Sequence, residues 1–351
     1  MIENLKVKCD CTTYNAVDTN PLSVYVMQPI WNKIIKIVPL WIAPNLLTFS
    51  GFVMILVNYF LISFYDWDYT ASGKYPYIVI FQNYRAASVT LLRLSPSSPL
   101  GELFDHGLDS WATSIFVLSF FSVCSRDNGK TGVSVYTMYI YLSIVLFNFM
   151  CSHWEKYNTG VLFLPWGYDL SQVLIAAYLL TGLVGVEVWQ KPLLFGYYIT
   201  DVLVILLIGK CPDPWKTLLA HLKKTLKNGS LYEGLLPLVS PLLLFVLLTV
   251  WVVLSPGNIL AKQPRLFLWM VGVTFSNVIC KVIVCQMSST RPELLHWFLF
   301  PLALVVYAAI SGLLGWAEEA AHVHYGICVV RGQLSEHFNI YIFSLKKRVQ
   351  E

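Results

Sequence analysis

The chain has 351 residues, of which 56% are apolar and 13% are charged, and its formal net charge is +4. Ordinary soluble domains have about a quarter of their residues charged, so this composition excludes a soluble globular protein and predicts a polytopic membrane protein. The small net charge gives no reason to expect a nucleic-acid partner. We therefore expect the lipid bilayer to be the main environment of the chain.

Apolar stretches long enough to cross a bilayer as helices, about 20 residues each, recur about ten times along the chain. The predicted fold class is thus an all-α polytopic membrane protein with about ten transmembrane helices. Two candidates are weak: the second carries three polar residues near its middle, and the last is short and holds two adjacent glutamates. In chain order the candidates are residues 45–65, 76–93, 109–124, 134–151, 171–188, 193–209, 235–254, 266–286, 295–315 and 316–331.

Lysines and arginines fall in three groups that predict the orientation of the chain. They precede the first span, occur throughout the 210–228 loop and recur at the C-terminus. With ten spans, all three groups lie on one side of the membrane, which the positive-inside rule identifies as the cytosol. An odd number of spans would separate them. The same count places residues 101–109 at the cytosolic mouth of the third span.

The sequence is predicted to divide into four parts around one membrane domain. Residues 1–20 form a cytosolic N-terminal segment, and residues 332–351 form a cytosolic C-terminal tail. Residues 21–40 mix apolar positions with asparagine and lysine, which is typical of an amphipathic helix lying in the membrane interface. The membrane domain then comprises residues 41–331.

Three acids and a histidine are concentrated in "GELFDHGLD", residues 101–109, which we call the acidic box. Asp105 and Asp109 are four residues apart and therefore share one face of a helix, with Glu102 and His106 at neighbouring positions. Two such carboxylates repel each other unless a cation bridges them, and hard oxygen ligands suit Mg²⁺ or Mn²⁺. A divalent ion beside a histidine is typical of phosphoryl-type transfer, with the histidine as base. The alternative is a solvated acidic helix start, which the helix dipole favours.

A second charged group, "HWEK" at residues 153–156, follows the fourth predicted span. It either shapes the cytosolic mouth and grips a nucleotide, or anchors the helix at the interface, as lysines and aromatic residues ordinarily do. The sequence leaves both roles open.

The acidic box resembles the second half of the signature D-x-x-D-G-x-x-A-R-x8-G-x3-D-x3-D of the CDP-alcohol phosphatidyltransferase family. Gly101, Asp105 and Asp109 match its G-x3-D-x3-D spacing. The resemblance extends over nearly the whole chain. Segments such as "APNLLTFSGF", "SHWEKYNTGVLFLPWGYDLSQ" and "CQMSSTRPELLHW" are similar to the eukaryotic choline/ethanolaminephosphotransferase branch, and most similar to its selenoprotein-type ethanolaminephosphotransferases.

This resemblance implies a fold, a reaction and a location. The fold is a bundle of ten membrane helices that forms a homodimer in the endoplasmic reticulum or Golgi, with its active site facing the cytosol. The reaction transfers phosphoethanolamine from CDP-ethanolamine, or phosphocholine from CDP-choline, to diacylglycerol. The products are the phospholipid, which is phosphatidylethanolamine in the first case, and CMP.

The resemblance also implies roles for single residues. The signature aspartates of the family hold two Mg²⁺ or Mn²⁺ ions on the diphosphate, so Asp105 and Asp109 are the expected metal ligands. A histidine like His106 is the expected general base. The expected substrate-binding residues are Asn45, Gly101 and Glu102.

The first half of the signature is missing from this chain. Half of the carboxylates for a metal pair are therefore absent, since no acid occurs between Asp68 and Glu102.

The second hypothesis is a catalytically impaired or inactive homologue, a splice form or misassembled gene model, acting as a membrane scaffold or dimer partner. A third hypothesis, a transporter, would need paired broken helices, and the sequence shows no such symmetry. Counted back from the acidic box, the missing positions fall on Tyr84, Ala87, Ser88, Leu91 and Leu92.

Overall fold

The computed structural model describes four long segments of the chain and several short ones. The long segments are residues 44–67, 99–126, 131–163 and 231–313. The short ones are residues 16–17, 23–27, 29, 32–33, 189, 191–193, 196–199, 201–202, 205, 325–330 and 332. Within them the chain is mostly helical, which confirms the all-α class.

Seven α-helices account for most of the described residues. They are α1 Pro44–Tyr65, α2 Pro99–Cys124, α3 Val135–Thr159, α4 Leu231–Leu254, α5 Ile259–Lys262, α6 Pro264–Ser288 and α7 Leu299–Ile310. Four helical stretches in this part of the chain are long and apolar enough to cross a membrane: Thr48–Tyr65, Val135–Thr159, Tyr232–Leu254 and Pro264–Ser288.

Two pairs of very short strands join segments outside the helices. Strand β1, Ala16–Val17, pairs in parallel with β4, Leu162–Phe163, just after α3. Strands β2, Ser125–Arg126, and β3, Thr131–Gly132, pair antiparallel between α2 and α3. The first pairing brings the N-terminal segment to the end of the bundle where α3 finishes.

Helix boundaries differ from the predicted spans where local capping decides them. The Ser134 side chain accepts a hydrogen bond from the Thr137 backbone N–H and so caps the start of α3. Gly160 ends α3 with a left-handed φ of 74°, a conformation that suits glycine. The prediction of 134–151 was therefore too short, and the residues up to Thr159, including "HWEK", are helical.

The acidic box is also helical throughout. Helix α2 begins at Pro99, which needs no hydrogen bond for its nitrogen in a first turn. The helix thus begins about ten residues before the predicted span 109–124. Spans 45–65, 235–254 and 266–286 agree with α1, α4 and α6 to within a few residues, whereas 295–315 shortens to α7.

The remaining predicted spans are described only in part. The boundary of 193–209 was wrong at its start, because the backbone turns there and Gly196 adopts a φ of 78°. Spans 76–93 and 171–188, most of 316–331 and most of the predicted interfacial helix lie outside the described residues. The four-part division of the chain likewise stays a prediction.

One end of the bundle, which we call the box end, contains the first turns of α2. There the ring of His106 on α2 meets that of His153 near the end of α3, with their centroids 5.0 Å apart. The Trp154 indole N–H donates to the Gly234 carbonyl in the first turn of α4 at 2.6 Å. The first turns of α1 also lie here, against the acidic box.

The opposite end, which we call the clamp end, is organised by Arg265 in the first turn of α6. Its Nε donates to the carbonyl oxygens of Asp66 and Trp67, after α1, at 3.1 and 2.8 Å. Its Nη2 donates to the Ser122 hydroxyl near the end of α2 at 2.7 Å. Helix α3 begins at this end, because the hydroxyl of Tyr136 in its first turn donates to the side chain of Asn258, just before α5. Helices α1, α2 and α4 therefore run from the box end to the clamp end, and α3 and α6 run in the opposite direction.

Helix α6 is the centre of the described bundle, with 89% of its apolar stretch buried. It lies very close to α2 at Gly272, where a Cβ atom would be 2.5 Å from the Cβ of Ser114. Small residues at such a crossing let two membrane helices approach closely. Nearer the clamp end, the rings of Trp251 and Phe267 pack edge to face, with centroids 5.6 Å apart.

Candidate active site

The two aspartates of the acidic box lie where the sequence predicted them, one turn apart on α2. Both side chains are partly buried rather than fully solvated. Thr48 of α1 donates a hydrogen bond from its hydroxyl to Oδ1 of Asp105, with an oxygen to oxygen distance of 3.4 Å. Helix α1 therefore forms one wall of the site and orients the first carboxylate.

Next to these carboxylates, His106 turns away from solvent and is only 6% exposed. Its ring packs nearly perpendicular to that of His153, at an interplanar angle of 79°. Behind His153 lies Phe149, whose ring centroid is 4.6 Å from the imidazole centroid. Helix α3 thus covers His106 with the imidazole ring of His153.

The surroundings of His106 favour its neutral form. Burial, and to a lesser extent the positive charge of Lys156, lowers the pKa of the His106 imidazole well below its usual value. The histidine is in the first two turns of α2, before the predicted span begins. A neutral imidazole is the form that accepts a proton, as a general base must.

Helix α6 closes the back of the site through Cys280. The Cys280 sulfur lies 3.8 Å from the Ser110 hydroxyl oxygen, and a Cβ atom at Gly107 would also lie 3.8 Å from it. Asn45 is exposed in the first turn of α1, at the same end of the bundle. The structure thus brings Asn45 to the box end and leaves its predicted contact with substrate untested.

Several proteins similar to this chain are named as phosphotransferases. The chain is 47% identical to ethanolaminephosphotransferase 1 of Mus musculus, over 95% of this chain and 92% of the relative. The Homo sapiens protein of the same name is also 47% identical, over 95% of this chain and 91% of the relative. Choline/ethanolaminephosphotransferase 1 of Arabidopsis thaliana is 25% identical over 95% of each chain. No protein-family model matches.

The chain belongs to the CDP-alcohol phosphatidyltransferase family. Its similarity to the ethanolaminephosphotransferases runs through nearly the whole length of both proteins rather than through the acidic box alone. The mouse alignment has 367 positions but includes only 95% of this 351-residue chain, so about thirty positions of the relative face no residue here. This family member is therefore shorter than its relative inside the aligned region.

The donor set of the site fits one divalent ion more readily than the two that the family resemblance implies. Within the described residues, no group of three or more His, Cys, Asp or Glu side chains is placed to hold a metal. Asp105 and Asp109 supply hard oxygen ligands from one helix face, and an ion such as Mg²⁺ commonly takes its remaining ligands from water and substrate phosphate. The positions of the missing signature half, 84–92, lie outside the described residues.

Two predicted substrate-binding residues are described only by their backbone. Gly101 and Glu102 both fall in the first turn of α2, so the helical placement of the box holds for them as well. The Glu102 side chain is outside what the structure describes. Its contact with substrate stays a prediction.

The sequence analysis named "HWEK" as a candidate group but left its role open, and the structure brings His153 of this group against His106. His153 and Lys156 are three residues apart, hence on one face of α3, and both are buried. A usable signal was present, because a polar pair at helical spacing beside a membrane span is costly unless it serves a site. The predicted span stopped before both residues, so the sequence did not show that they continue α3.

Proposed function

We propose that this chain is a membrane CDP-alcohol phosphotransferase that transfers phosphoethanolamine from CDP-ethanolamine to diacylglycerol, giving phosphatidylethanolamine and CMP. The observation that carries the proposal is the 47% identity to ethanolaminephosphotransferases over 95% of the chain. The site supports it, since a buried histidine and two carboxylates share the start of one helix. CDP-choline is a second candidate donor, because the plant relatives are named for both head groups.

In this proposal each residue of the site has one task. The His106 imidazole accepts the proton of the diacylglycerol hydroxyl as that oxygen bonds to the phosphorus next to ethanolamine. The bond from this phosphorus to the bridging oxygen breaks, and its electron pair leaves with CMP. Asp105 and Asp109 would hold Mg²⁺ or Mn²⁺, which when bound neutralises charge on the diphosphate. Asn45, Gly101 and Glu102 would bind the substrate.

The proposed architecture has ten membrane helices, with the box end facing the cytosol. The helix directions support this count, because the chain leaves α1 at the clamp end and enters α2 at the box end. It likewise leaves α3 and enters α4 at the same box end. The chain must therefore cross the membrane an odd number of times between α1 and α2 and an even number of times between α3 and α4. The predicted span 76–93 meets the first requirement, and the predicted spans 171–188 and 193–209 meet the second. A homodimer in the endoplasmic reticulum or Golgi completes the proposal.

Similarity along the whole chain favours the enzyme over the inactive scaffold. A direct test is CMP release by the purified full chain in nanodiscs, with CDP-ethanolamine, diacylglycerol and Mg²⁺. We expect CMP release that falls about 10²-fold to 10⁴-fold in His106→Ala, which is the usual effect of losing a general base. Equal CMP release by the two chains, or none by the wild type, would contradict the proposal.

A further inference from the structure

The most deeply buried lysine of the described site is Lys156, in the last turns of α3. Only 3% of it is exposed. Burying an ammonium group is costly unless negative charge or good hydrogen-bond acceptors surround it. Lysines that only anchor a helix at a membrane interface keep their charged ends in water. Lys156 does not, so anchoring does not account for its position.

The location of Lys156 ties it to the acidic box. It follows His153 by three residues on α3, and the ring of His153 contacts that of His106. His106 is in turn the residue next to Asp105. Lys156 is therefore one helical turn from a residue that contacts the acidic box.

The reaction creates a need for this charge. A diphosphate brings negative charge into the site, and phosphoryl transfer is catalysed mainly by cations placed around it. The signature of the family provides four aspartates for two ions, whereas Asp105 and Asp109 are the two signature aspartates present here. A lysine ammonium is a standard point-charge ligand of phosphate.

We infer that Lys156 binds the phosphate oxygens of the CDP-alcohol and retains the CMP phosphate after transfer. This inference rests on the proposed function and adds a substrate-binding residue to it. The ammonium group would add its positive charge to that of the ion that Asp105 and Asp109 would hold.

The test compares binding of CMP and cytidine, which differ only in the phosphate. The full chain in nanodiscs is titrated with each ligand in the presence of EDTA, so that no divalent ion contributes. The variants are Lys156→Met, which keeps the length and removes the charge, and Lys156→Arg, which keeps the charge. The matched control is Lys262→Met, at an exposed lysine of α5 near the clamp end.

We expect Lys156→Met to weaken CMP binding by about tenfold or more, with cytidine binding unchanged, since a charged hydrogen bond to phosphate is lost. Lys156→Arg should stay within about threefold of the wild type, and Lys262→Met should match it. Unchanged CMP binding in Lys156→Met, or equal loss of CMP and cytidine, overturns the inference. If Lys156→Met does not elute as a folded protein, Lys156→Gln takes its place with the same expectation.

The outcomes separate this inference from the proposed function. A wild-type chain that releases CMP from CDP-ethanolamine, alongside Lys156→Met with wild-type CMP affinity, refutes the role of Lys156 alone. A wild-type chain that neither releases nor binds CMP refutes both.

Discussion

Both ends of α2 bury charged side chains, but the two ends use the charge differently. At the clamp end, Arg265 is 1% exposed and its Nε and Nη2 donate to backbone carbonyls and to the Ser122 hydroxyl. An ion pair to Asp66 at 3.8 Å adds opposite charge. At the box end, Lys156 and His106 are also buried, and the His106 ring packs against the ring of His153.

The difference distinguishes a structural cluster from a chemical one. At the clamp end the cation is neutralised within the protein and joins the ends of α1, α2 and α6. At the box end, buried Lys156 lies one helical turn from His153, whose ring contacts His106 of the acidic box, and this arrangement suits a charged substrate and metal. Perturbed, buried ionisable groups of this second kind are typical of active sites.

The largest effect is expected from the carboxylates at the box end. Asp105→Asn or Asp109→Asn removes one of the two carboxylates proposed to hold the metal, so the rate of CMP release should fall by about three powers of ten. The control is Glu293→Gln, at an exposed acid in the loop after α6. CMP release within about tenfold of the wild type in both aspartate variants would show that they do not hold the metal.

A substitution of Arg265 at the clamp end should lower the stability of the protein and leave its rate of CMP release unchanged. Arg265→Met leaves the buried Asp66 region without its cation, which costs about 3 to 5 kcal/mol in comparable buried pairs. We expect a clearly lower thermal unfolding midpoint in detergent, with CMP release per folded molecule unchanged at low temperature. Arg265→Lys keeps the charge without the planar fork and should fall between. A folded but inactive Arg265→Met would break the distinction between the two ends.

Midway between the two ends, the α2 and α6 crossing should be sensitive to a single methyl group. In Gly272→Ala the new Cβ would lie 2.5 Å from the Cβ of Ser114, and overpacking of this kind costs about 1 to 3 kcal/mol. Thermal unfolding should show the loss, and Ser114→Gly in the same chain should recover it. Ser114→Ala is the matched control, because it keeps the clashing Cβ. Equal thermal unfolding midpoints for Gly272→Ala alone, with Ser114→Gly and with Ser114→Ala would contradict the close approach of α2 and α6.

The smallest effect is expected at an exposed charge pair of the box end. Arg291 and Glu233 form an ion pair at 3.0 Å, but the Arg291 side chain is 59% exposed. Such pairs contribute at most about 1 kcal/mol. Arg291→Ala should therefore leave the unfolding midpoint and CMP release near wild type. A large loss of CMP release would show that exposed charge at this end also serves the site.

The acidic box shows how far sequence reasoning reaches into the site. The four-residue spacing is enough to place Asp105 and Asp109 on one helix face, because helix periodicity is a local property. The partner of His106 is not predictable in the same way. His153 belongs to another helix, and its contact with His106 depends on how α2 and α3 pack.

The sequence by itself determined the membrane class, the helical fold, the family and the shared helix face of Asp105 and Asp109, because composition, periodicity and motif spacing are local properties of the chain. Only the tertiary structure decided that Thr48 and His153 contact the acidic box, that Lys156 is buried one turn beyond His153, and that Arg265 joins α1, α2 and α6 at the opposite end. Those choices depend on the close crossing of α2 and α6 and on the antiparallel pairing of α2 with α3. Contacts between residues far apart in sequence follow from such packing, and no single segment encodes them.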